Sequence, residues 1–353
     1  WGKHGFQLDS TNIERTSRNA AILARNKTSS HQVLKRAGFP VPNQLKVINI
    51  ESCNKFVEEF GFPVVVKPFD RDLGVGVTAN ISSQEELAQA FVFAQKESRN
   101  IIIQNHIKGK EYRLNVINGK LSWCYERHPA AVVGDGFSKI STLINRENLT
   151  AKRLKTRETL LKKIVENSLL TDLLGKQSFT LESVPEKNQI VYLSGTPSFS
   201  AGGFPLVVPN KAVHPDNILL AERAAKLFRL DITGVDLIIP DIGKSWMEVG
   251  GKIIEMNAMP DLSHTSPHIY EMILRDFVSG DGRGASAIIL AENFNRKTLI
   301  GFIDFCEKNN KKLGMIVGED ILINSTRIAK SSGNVLQDCQ VLYLDQTIDY
   351  III

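Results

Sequence analysis

Short apolar runs alternate with amphipathic stretches over the first 125 residues. Residues 64–66 and 101–103 are uninterrupted β-branched runs, which is typical of buried strands. Between them, residues 83–96 place apolar side chains at helical spacing, with acidic residues in the first turn, which predicts an amphipathic helix. The Asn118-Gly119 pair predicts a hairpin turn between two further strands. This alternation predicts one compact α+β lobe.

The rest of the chain divides by pattern into three parts. Residues 140–190 are charged and mostly of helical pattern, which predicts an inserted arm over the lobe. A second lobe follows, in which a helix over residues 215–228 leads into two apolar runs with polar ends. From residue 285 onward the composition predicts a separate small α/β unit. Its β-like runs lie at residues 288–290, 313–317, 320–324 and 341–344.

The composition narrows the class of protein. The 353 residues, of which 42% are apolar and 23% charged, are typical of a globular chain with two or three domains. Lys and Arg exceed Asp and Glu by 43 − 38 = 5, which is too few for a nucleic-acid-binding surface. The densest basic run, residues 152–157, is more typical of a solvated helix face. No apolar run approaches the roughly 20 residues of a membrane span. We therefore expect neither nucleic acid nor a membrane as a partner.

The cysteines and the chain ends bear on location. The four cysteines are far apart and form no CxxC pair, so they indicate neither a disulfide framework nor a structural zinc site. They are Cys53, Cys124, Cys306 and Cys339. The chain opens on polar residues without a secretory signal and closes on Tyr350 and three isoleucines, which resemble an interrupted strand. We therefore expect a cytoplasmic protein that is part of a longer polypeptide.

Two apolar runs of the second lobe end in oxygen-bearing side chains. The first run delivers Asp236, and the second delivers Glu255 and Asn257. Because side chains alternate along a strand, the two-residue step from Glu255 to Asn257 places both on one face. Mg²⁺ takes carboxylates together with the oxygens of a bound phosphate. The three residues therefore predict a magnesium site, against the alternative of strand ends that merely carry polar residues.

The first lobe carries residues that suit an anionic nucleotide. One lysine opens a predicted helix, another leaves a buried strand, and two loop glycines permit close backbone approach to a ligand. The strand end at residues 104–107 resembles an adenine-binding hinge. Glu111, seven residues after Gln104, is in a position to bind the ribose hydroxyls. Each signal alone is weak, since a lone lysine after a strand usually lies at the surface. In chain order, these residues are Lys27, Lys67, Gly74, Gly76, Gln104, Asn105, Ile107 and Glu111. With the magnesium site, they predict ATP binding.

Motifs in a fixed order carry a resemblance to a known family. The chain resembles the ATP-grasp ligases, and among them it most resembles the ATP-grasp part of the cyanophycin synthetases. The segments that carry this resemblance are residues 14–17, 38–42, 63–68, 109–113, 133–136, 200–203, 213–217, 234–236 and 254–260. The implied fold is an ATP-grasp fold of two lobes, of class α+β / α/β. It implies an ATP-grasp domain over residues 1–284, followed by a small Mur-ligase-like α/β unit over residues 285–353.

The resemblance also implies roles for the candidate residues. Lys27, Lys67, Gln104 and Glu111 would hold ATP, and the three oxygen-bearing residues would hold one or two Mg²⁺ ions. Arg113 would bridge the transferring phosphate and the acyl substrate, so that Arg113 and Lys67 are the candidate catalytic residues. The incoming peptide would lie near Ser200, Gly202 and Gly203.

The sequence also departs from the family pattern. Leu73 and Val75 stand in the glycine-rich loop where family members commonly carry a histidine and an arginine, and Asp261 replaces a usual glycine. In the tail, the segment that corresponds to a phosphate-binding loop has Ala291 and Arg296 in place of glycines. We therefore predict that the Mur-like unit is degenerate and has no competent nucleotide site.

The predicted function is an ATP- and Mg²⁺-dependent carboxylate–amine ligase that works through an acylphosphate. Its substrates would be amino acids or short peptides. The expected partners are further copies of the chain and a second ligase for an alternating step. The alternative is a non-catalytic nucleotide- or peptide-binding homologue, which the departures in the loop and tail favour. A glutathione-type or D-alanyl-dipeptide-type ligase shares the nucleotide residues, but it does not account for residues 200–203 and 213–217 or for the tail.

Overall fold

The computed structural model describes residues 7–9, 11–71, 75–150, 153–154, 161–260, 269–278, 285–287 and 296–353. The described residues form two compact units, one within residues 8–269 and one of residue 7 with the described part of residues 270–353. The division thus falls between residues 269 and 270, while the domain boundary at residue 284 stays a prediction. Within the described ranges, every helix is too short or too polar to cross a membrane.

The N-terminal segment forms a small hairpin and two helices. These are β1 (Leu8–Asp9), β2 (Asn12–Ile13), α1 (Arg18–Arg25) and α2 (Lys27–Arg36). Ser17 accepts a hydrogen bond from the backbone of Ala20 at the start of α1, and Asn26 caps α2 in the same way through Ser29. The second cap fixes Lys27 as the first residue of α2, at the edge of the cleft described below.

A four-stranded antiparallel sheet with two helices makes the first lobe. Its elements are β3 (Gln44–Val47), α3 (Ile50–Phe60), β4 (Val64–Pro68), β5 (Thr78–Ile81), α4 (Gln84–Glu97) and β6 (Ile101–Asn105), in the sheet order β3-β6-β4-β5. Val64 and Val66 pack with the helices in the lobe's core. Because side chains alternate along β4, Val65 and Lys67 face the opposite side, where both line a cleft.

A five-stranded antiparallel sheet makes the second lobe, with a small arm inserted between its strands. In chain order, the elements are β7 (Lys110–Ile117), β8 (Lys120–His128), β9 (Ala131–Val133), α5 (Ile140–Asn148), α6 (Ser168–Lys176), β10 (Ile190–Tyr192), β11 (Phe204–Val208), α7 (Pro215–Phe228), β12 (Ile232–Ile239), α8 (Trp246–Val249) and β13 (Lys252–Asn257). The sheet order is β11-β8-β7-β12-β13. Helices α1, α2 and α7 share a core with one face of this sheet, which leaves the other face for the site.

The arm has a core of its own. Strands β9 and β10 pair antiparallel, and α5 and α6 pack with them around Ile144, Leu174 and Val191. Much of the arm outside α5 and α6 is not helical, although its sequence pattern is mostly helical. Of the basic run, the structure describes residues 153 and 154. Arg153 differs from the predicted solvated face, because it is 2% exposed and donates to Glu147 at 3.0 Å. The prediction was wrong there, since a guanidinium tolerates burial when a carboxylate faces it.

The second unit contains a mixed sheet. Its elements are α9 (Ile269–Phe277), β14 (Ala285–Ala287), α10 (Arg296–Lys308), β15 (Leu313–Val317), β16 (Asp320–Ile323), β17 (Thr326–Lys330), α11 (Val335–Leu344) and β18 (Tyr350–Ile352). The sheet order is β14-β18-β15-β16-β17, and the first three strands are parallel. Residues 313–317 and 320–323 are strands, as predicted.

One predicted strand of this unit is a helix. Residues 341–344 belong to α11, because Asn334 caps the backbone of Leu336 and Gln337, and Cys339 and Leu342 then bury one helical face. The run at 288–290 and residues 291–295 of the lost phosphate loop lie outside the described residues. The resemblance to a Mur ligase therefore stays a prediction.

Candidate functional site

A cleft of about 950 Å³ lies between the two lobes of the larger unit. Its walls come from β4 and β6 on one side and from the open face of the five-stranded sheet on the other. The structure brings eight of the predicted site residues to this cleft. They are Lys27, Lys67, Gln104, Ile107, Glu111, Arg113, Glu255 and Asn257.

The open face of the sheet carries the candidate residues in cross-strand rows. In the central row, Asp236 on β12 lies between Arg113 on β7 and Glu255 on β13. One step along the same face, Gly234 pairs with Asn257. Because of this register, Glu255 and Asn257, two residues apart on β13, both lie close to Asp236 on β12. The register thus brings together the three residues of the predicted magnesium site.

Arg113 and Asp236 form a buried ion pair at the centre of this face. Nε of Arg113 donates to Oδ1 of Asp236, and Nη2 donates to Oδ2 at 2.8 Å. Asp236 is 1% exposed and Arg113 is 8% exposed. Burial is the largest single influence and acts to lower the pKa of Arg113, but the neighbouring acidic groups, Asp236 first among them, together outweigh it, so the pKa lies above its usual range. Arg113 is therefore a fixed cation held by a residue of the predicted metal site.

Gly234 makes room for the arginine. A Cβ atom at this position would lie 2.5 Å from Cδ of Arg113 and 3.2 Å from its Nε. The sequence segment Gly234-Val235-Asp236 thus supplies both the carboxylate and the space in which its arginine partner crosses the strand. The glycine is required by a close side-chain approach, not by backbone conformation.

We expect Gly234→Ala to displace the Arg113 guanidinium from Asp236 and to lower turnover about a hundredfold, since an error of about 1 Å in a positioned group has that effect. The measurement is kcat for the substrates that the product analysis described under the proposed function identifies. Circular dichroism shows whether the fold is kept. Gly175→Ala on α6 is the matched control, because its Cβ would meet no atom within 4 Å. Turnover at the wild-type level in Gly234→Ala would contradict the assigned role of Arg113.

The lysines approach the same face from the first lobe and from α2. Nζ of Lys27 lies 3.8 Å from Oε1 of Glu255 and donates to the backbone oxygen of Arg71. Burial lowers the pKa of Lys67, opposed by Glu255 and reinforced by Lys27. Two lysines close to one carboxylate leave an excess of positive charge. Such a site favours an added anion with several charges, as the sequence predicts for ATP.

Arg127 is the main site residue that sequence reasoning missed. It faces Glu111 across β7 and β8, and its Nη1 donates to Oε1 of Glu111 at 2.7 Å. The same nitrogen lies 3.4 Å from Oδ2 of Asp236. Burial raises the pKa of Glu111, and Arg127 is the largest influence that opposes this shift. Arg127 thus helps Glu111 to stay ionised inside the cleft.

The predicted magnesium residues fit a hard cation that keeps phosphate and water ligands. Nδ2 of Asn257 donates to Oδ2 of Asp236 at 3.3 Å and to the Gly234 carbonyl at 3.2 Å, so Oδ1 is the Asn257 atom suited to a metal. Glu255 is only partly exposed and adds a second carboxylate beside Asp236. No group of three or more His, Cys, Asp or Glu residues suited to a metal occurs in the described parts of the chain. A cation here would take Glu255, Oδ1 of Asn257 and outside oxygens, as Mg²⁺ does at phosphate sites, and it would share Asp236 with Arg113, which donates to both of its oxygens.

Five other described residues of the predicted site are not among those that line the cleft: Asp236, Asn105, Gly76, Gly202 and Gly203. A Cβ at Gly76 would lie 2.9 Å from Cγ of Pro68, and one at Gly203 would lie 2.7 Å from the backbone oxygen of His128. These two glycines permit close packing inside the protein. Their neighbours Ser198 and Phe199 do line the cleft. Gly74 and the side chain of Ser200 lie outside the described residues. The ligand roles of all the predicted site residues, those at the cleft included, stay predictions.

Comparisons with known proteins agree with this geometry. Residues 31–148 match the family described as D-ala D-ala ligase C-terminus. The chain is 32% identical over 362 aligned residues to cyanophycin synthetase of Synechocystis sp., covering 99% of this chain and 41% of that protein. It is 29% identical over 294 residues to the glutathione biosynthesis bifunctional protein GshAB of Clostridium perfringens, covering 82% of this chain and 36% of that protein.

A solved structure shows the same fold. The bifunctional glutathione synthetase from Pasteurella multocida superposes with a TM-score of 0.51 at 28% identity, over 71% of this chain and 35% of that chain. This chain therefore spans about two fifths or less of the length of these relatives. Together with the cleft between two lobes, the comparisons show a chain that is homologous to the cyanophycin synthetases and has the two-lobed ATP-grasp fold that it shares with the bifunctional glutathione synthetase.

Proposed function

We propose that this chain is an ATP- and Mg²⁺-dependent carboxylate–amine ligase of the cyanophycin synthetase type, which acts through an acylphosphate on an amino acid or a short peptide. The observation that carries the proposal is the single sheet face on which Arg113, Asp236 and Glu255 meet, with Lys27 and Lys67 beside them. The cleft above this face is about 950 Å³, large enough for a nucleotide and a small carboxylate together.

In the first proposed step, an oxygen of the substrate carboxylate attacks the γ-phosphorus of ATP, and the bond from that phosphorus to the ADP oxygen breaks. Lys67 and Lys27 would bind the phosphate oxygens, and Arg113 would orient the carboxylate against the transferring phosphate. Asp236, Glu255 and Asn257 would hold Mg²⁺. The bound ion supplies electrostatic stabilisation of the charge that spreads onto the phosphate oxygens.

In the second proposed step, the amine nitrogen attacks the acyl carbon, the carbon–oxygen bond to phosphate breaks, and the proton lost by the nitrogen passes to the departing phosphate. Phosphate and an amide are the products. The side chains mainly orient the two reactants and exclude water, because the phosphate is already a good leaving group. Arg113 remains ionised throughout, since its pKa lies above the usual range.

The proposal extends to location and partners. The four cysteines are buried free thiols, which accords with a reducing cytoplasm. One proposed ligation site within the described residues accords with a short peptide product, or with a second ligase for an alternating step. Self-association of the chain is part of the same proposal, and it is measured by light scattering.

A non-catalytic nucleotide- or peptide-binding homologue is the second candidate. Two observations favour it: Val75 in the glycine-rich loop is exposed without a charge to offer a phosphate, and arginines already neutralise Asp236. Mass spectrometry of products from ATP, Mg²⁺ and a mixed pool of amino acids and dipeptides separates the two. A new amide together with ADP supports the ligase, whereas nucleotide binding by calorimetry with no product in any mixture supports the second candidate.

Nucleotide binding should be accompanied by proton uptake at Lys67. Burial lowers the pKa of this lysine in the free protein, and the negative charges of ATP would raise it on binding. Between the two pKa values the complex holds more protons than its parts, so affinity falls as pH rises through that window. At about pH 8, roughly two units above the second pKa of a phosphate group, ATP itself contributes little. Calorimetry in buffers of different ionisation enthalpy measures the uptake.

Lys67→Arg is the control for this prediction. Arginine keeps the positive charge but does not titrate in the accessible pH range, so the variant should bind nucleotide without the proton uptake. Equal uptake by the wild-type protein and by Lys67→Arg would show that another group is responsible.

A further inference from the structure

Arg127 is in contact with three parts of the candidate site at once. Its Nη1 donates to Glu111 at 2.7 Å and lies 3.4 Å from Oδ2 of Asp236. The ring of Phe199 covers the guanidinium, with Cζ of Arg127 at 5.3 Å from the ring centroid. Phe199 begins the 3₁₀ turn Phe199–Ala201, which leads directly into the predicted peptide-binding glycines. One side chain therefore touches the nucleotide side, the metal side and the peptide side of the cleft.

The register of the sheet places these contacts on one face. Tyr125 and Arg127 are two residues apart on β8, so both side chains lie on the open face, opposite Arg113 and Glu111 respectively. Phe199 lies over both of them, because its ring also stacks on Tyr125 with centroids 5.9 Å apart. The turn Phe199–Ala201 thus packs on the sheet against the same arginine that bonds the two carboxylates.

The guanidinium of Arg127 is held by its contacts with Glu111, Asp236 and Phe199, although not all of its N–H donors form hydrogen bonds. Nε of Arg127 is buried and lacks a hydrogen-bond partner within the described residues, which is an unfavourable state for a charged donor. The planar guanidinium of Arg127 bonds Glu111 and Asp236 in its plane and carries Phe199 on its face. If one of these three neighbours moves, the guanidinium cannot keep all three contacts. Displacement of Phe199 would therefore change the field at Glu111 and Asp236, and the reverse holds as well.

We propose that Arg127 is a positioning residue that couples the peptide-binding turn to the nucleotide and metal subsites. The inference rests on the proposed function, because it assumes that a nucleotide lies over Glu111 and Asp236. Its consequence is reciprocal: a ligand that moves Phe199 changes nucleotide affinity, and a bound nucleotide changes affinity at the turn by the same factor.

A double-mutant cycle tests the coupling without knowledge of the substrate. The affinity for AMP-PNP with Mg²⁺ is measured by calorimetry in the wild-type protein, Arg127→Gln, Phe199→Leu and the double variant. We expect losses of about tenfold for Arg127→Gln and about threefold for Phe199→Leu, and about tenfold, not about thirtyfold, for the double variant, since residues in contact through one group are not additive. Arg127→Lys should recover part of the affinity.

Two controls separate coupling from a purely structural role. Arg146→Gln removes an arm arginine that pairs with Asp135 at 3.0 Å, and it should leave the affinity unchanged. Thermal unfolding without nucleotide measures any loss of stability. A lower melting temperature with unchanged affinity in Arg127→Gln would overturn the inference, and so would fully multiplicative losses in the cycle. Failure of the wild-type protein to bind AMP-PNP would instead overturn the proposed function, and the inference with it.

Discussion

Glu255→Gln is expected to reduce ligase turnover about a thousandfold while the fold stays intact, an effect of the size seen when a group that offsets developing charge is lost. Glutamine has the same shape as glutamate but lacks its charge. Glu255 faces Asp236 across β12 and β13 and lies 3.8 Å from Lys27, so the change removes one of the two carboxylates of the predicted magnesium site. Lys67→Ala should have an effect of similar size, because it removes a cation from the proposed phosphate site.

The measurement is the rate of ADP release with the carboxylate and amine identified by mass spectrometry, at several Mg²⁺ concentrations. Glu182→Gln is the matched control, since Glu182 is exposed on the arm, where it pairs with Lys139. Lys297→Ala in the second unit should also leave turnover unchanged. A loss of turnover in Lys297→Ala would contradict the prediction that the tail has no competent nucleotide site.

The three residues of the predicted magnesium site could be predicted from the sequence, because their placement depends on simple periodicity. Asp236, Glu255 and Asn257 end apolar runs, and the alternation of a strand is enough to place the last two on one face. The position of Lys67 follows from the same rule. Val64 and Val66 are buried in the core of the first lobe, so Val65 and Lys67, which alternate with them along β4, face the cleft. Local patterning thus determines which residues face the cleft, and the antiparallel register then brings them side by side.

Arg127 could not be predicted in this way, because a β-bulge sets its register. A regular hairpin around Asn118-Gly119 pairs residue 117 with 120, and continuing that register would place Glu111 opposite Glu126. The register shifts between Asn115 and Val116, and Glu111 faces Arg127 as a result. The bulge replaces two facing acids by an ion pair. Nothing in the apolar pattern of residues 110–128 indicates where it occurs.

Tertiary contacts also decide the errors elsewhere in the chain. Residues 341–344 have the β-like composition of a strand, but a cap at Asn334 and a buried face that includes Cys339 and Leu342 make them the end of α11. Arg153 lies in a basic run, and yet it is buried because Glu147 and the backbone oxygen of Lys162 satisfy it. In both cases the deciding partner is outside the short window from which the prediction was made.

Asp236→Asn is expected to lower the free energy of unfolding by about 3 kcal/mol, the usual cost of removing one partner from a buried ion pair. Asp236 is 1% exposed, and its two oxygens take the guanidinium of Arg113 while Nη1 of Arg127 lies 3.4 Å away. The substitution leaves two buried cations facing a neutral amide. Turnover should be lost as well, because the proposed cation site loses its central carboxylate. Urea unfolding and ADP release measure the two effects.

The double variant Arg113→Met/Asp236→Leu separates these two effects. Apolar side chains of similar volume remove both charges together, so most of the lost stability should return, since such replacements of buried pairs are often neutral. Turnover should remain absent, because neither the phosphate-orienting cation nor the metal-site carboxylate is restored. Asp172→Asn, at an exposed position of α6, is the control for the loss of one negative charge and should change stability by less than about 0.5 kcal/mol. Recovery of turnover in the double variant would contradict the proposal, because the ion pair would then serve the fold alone.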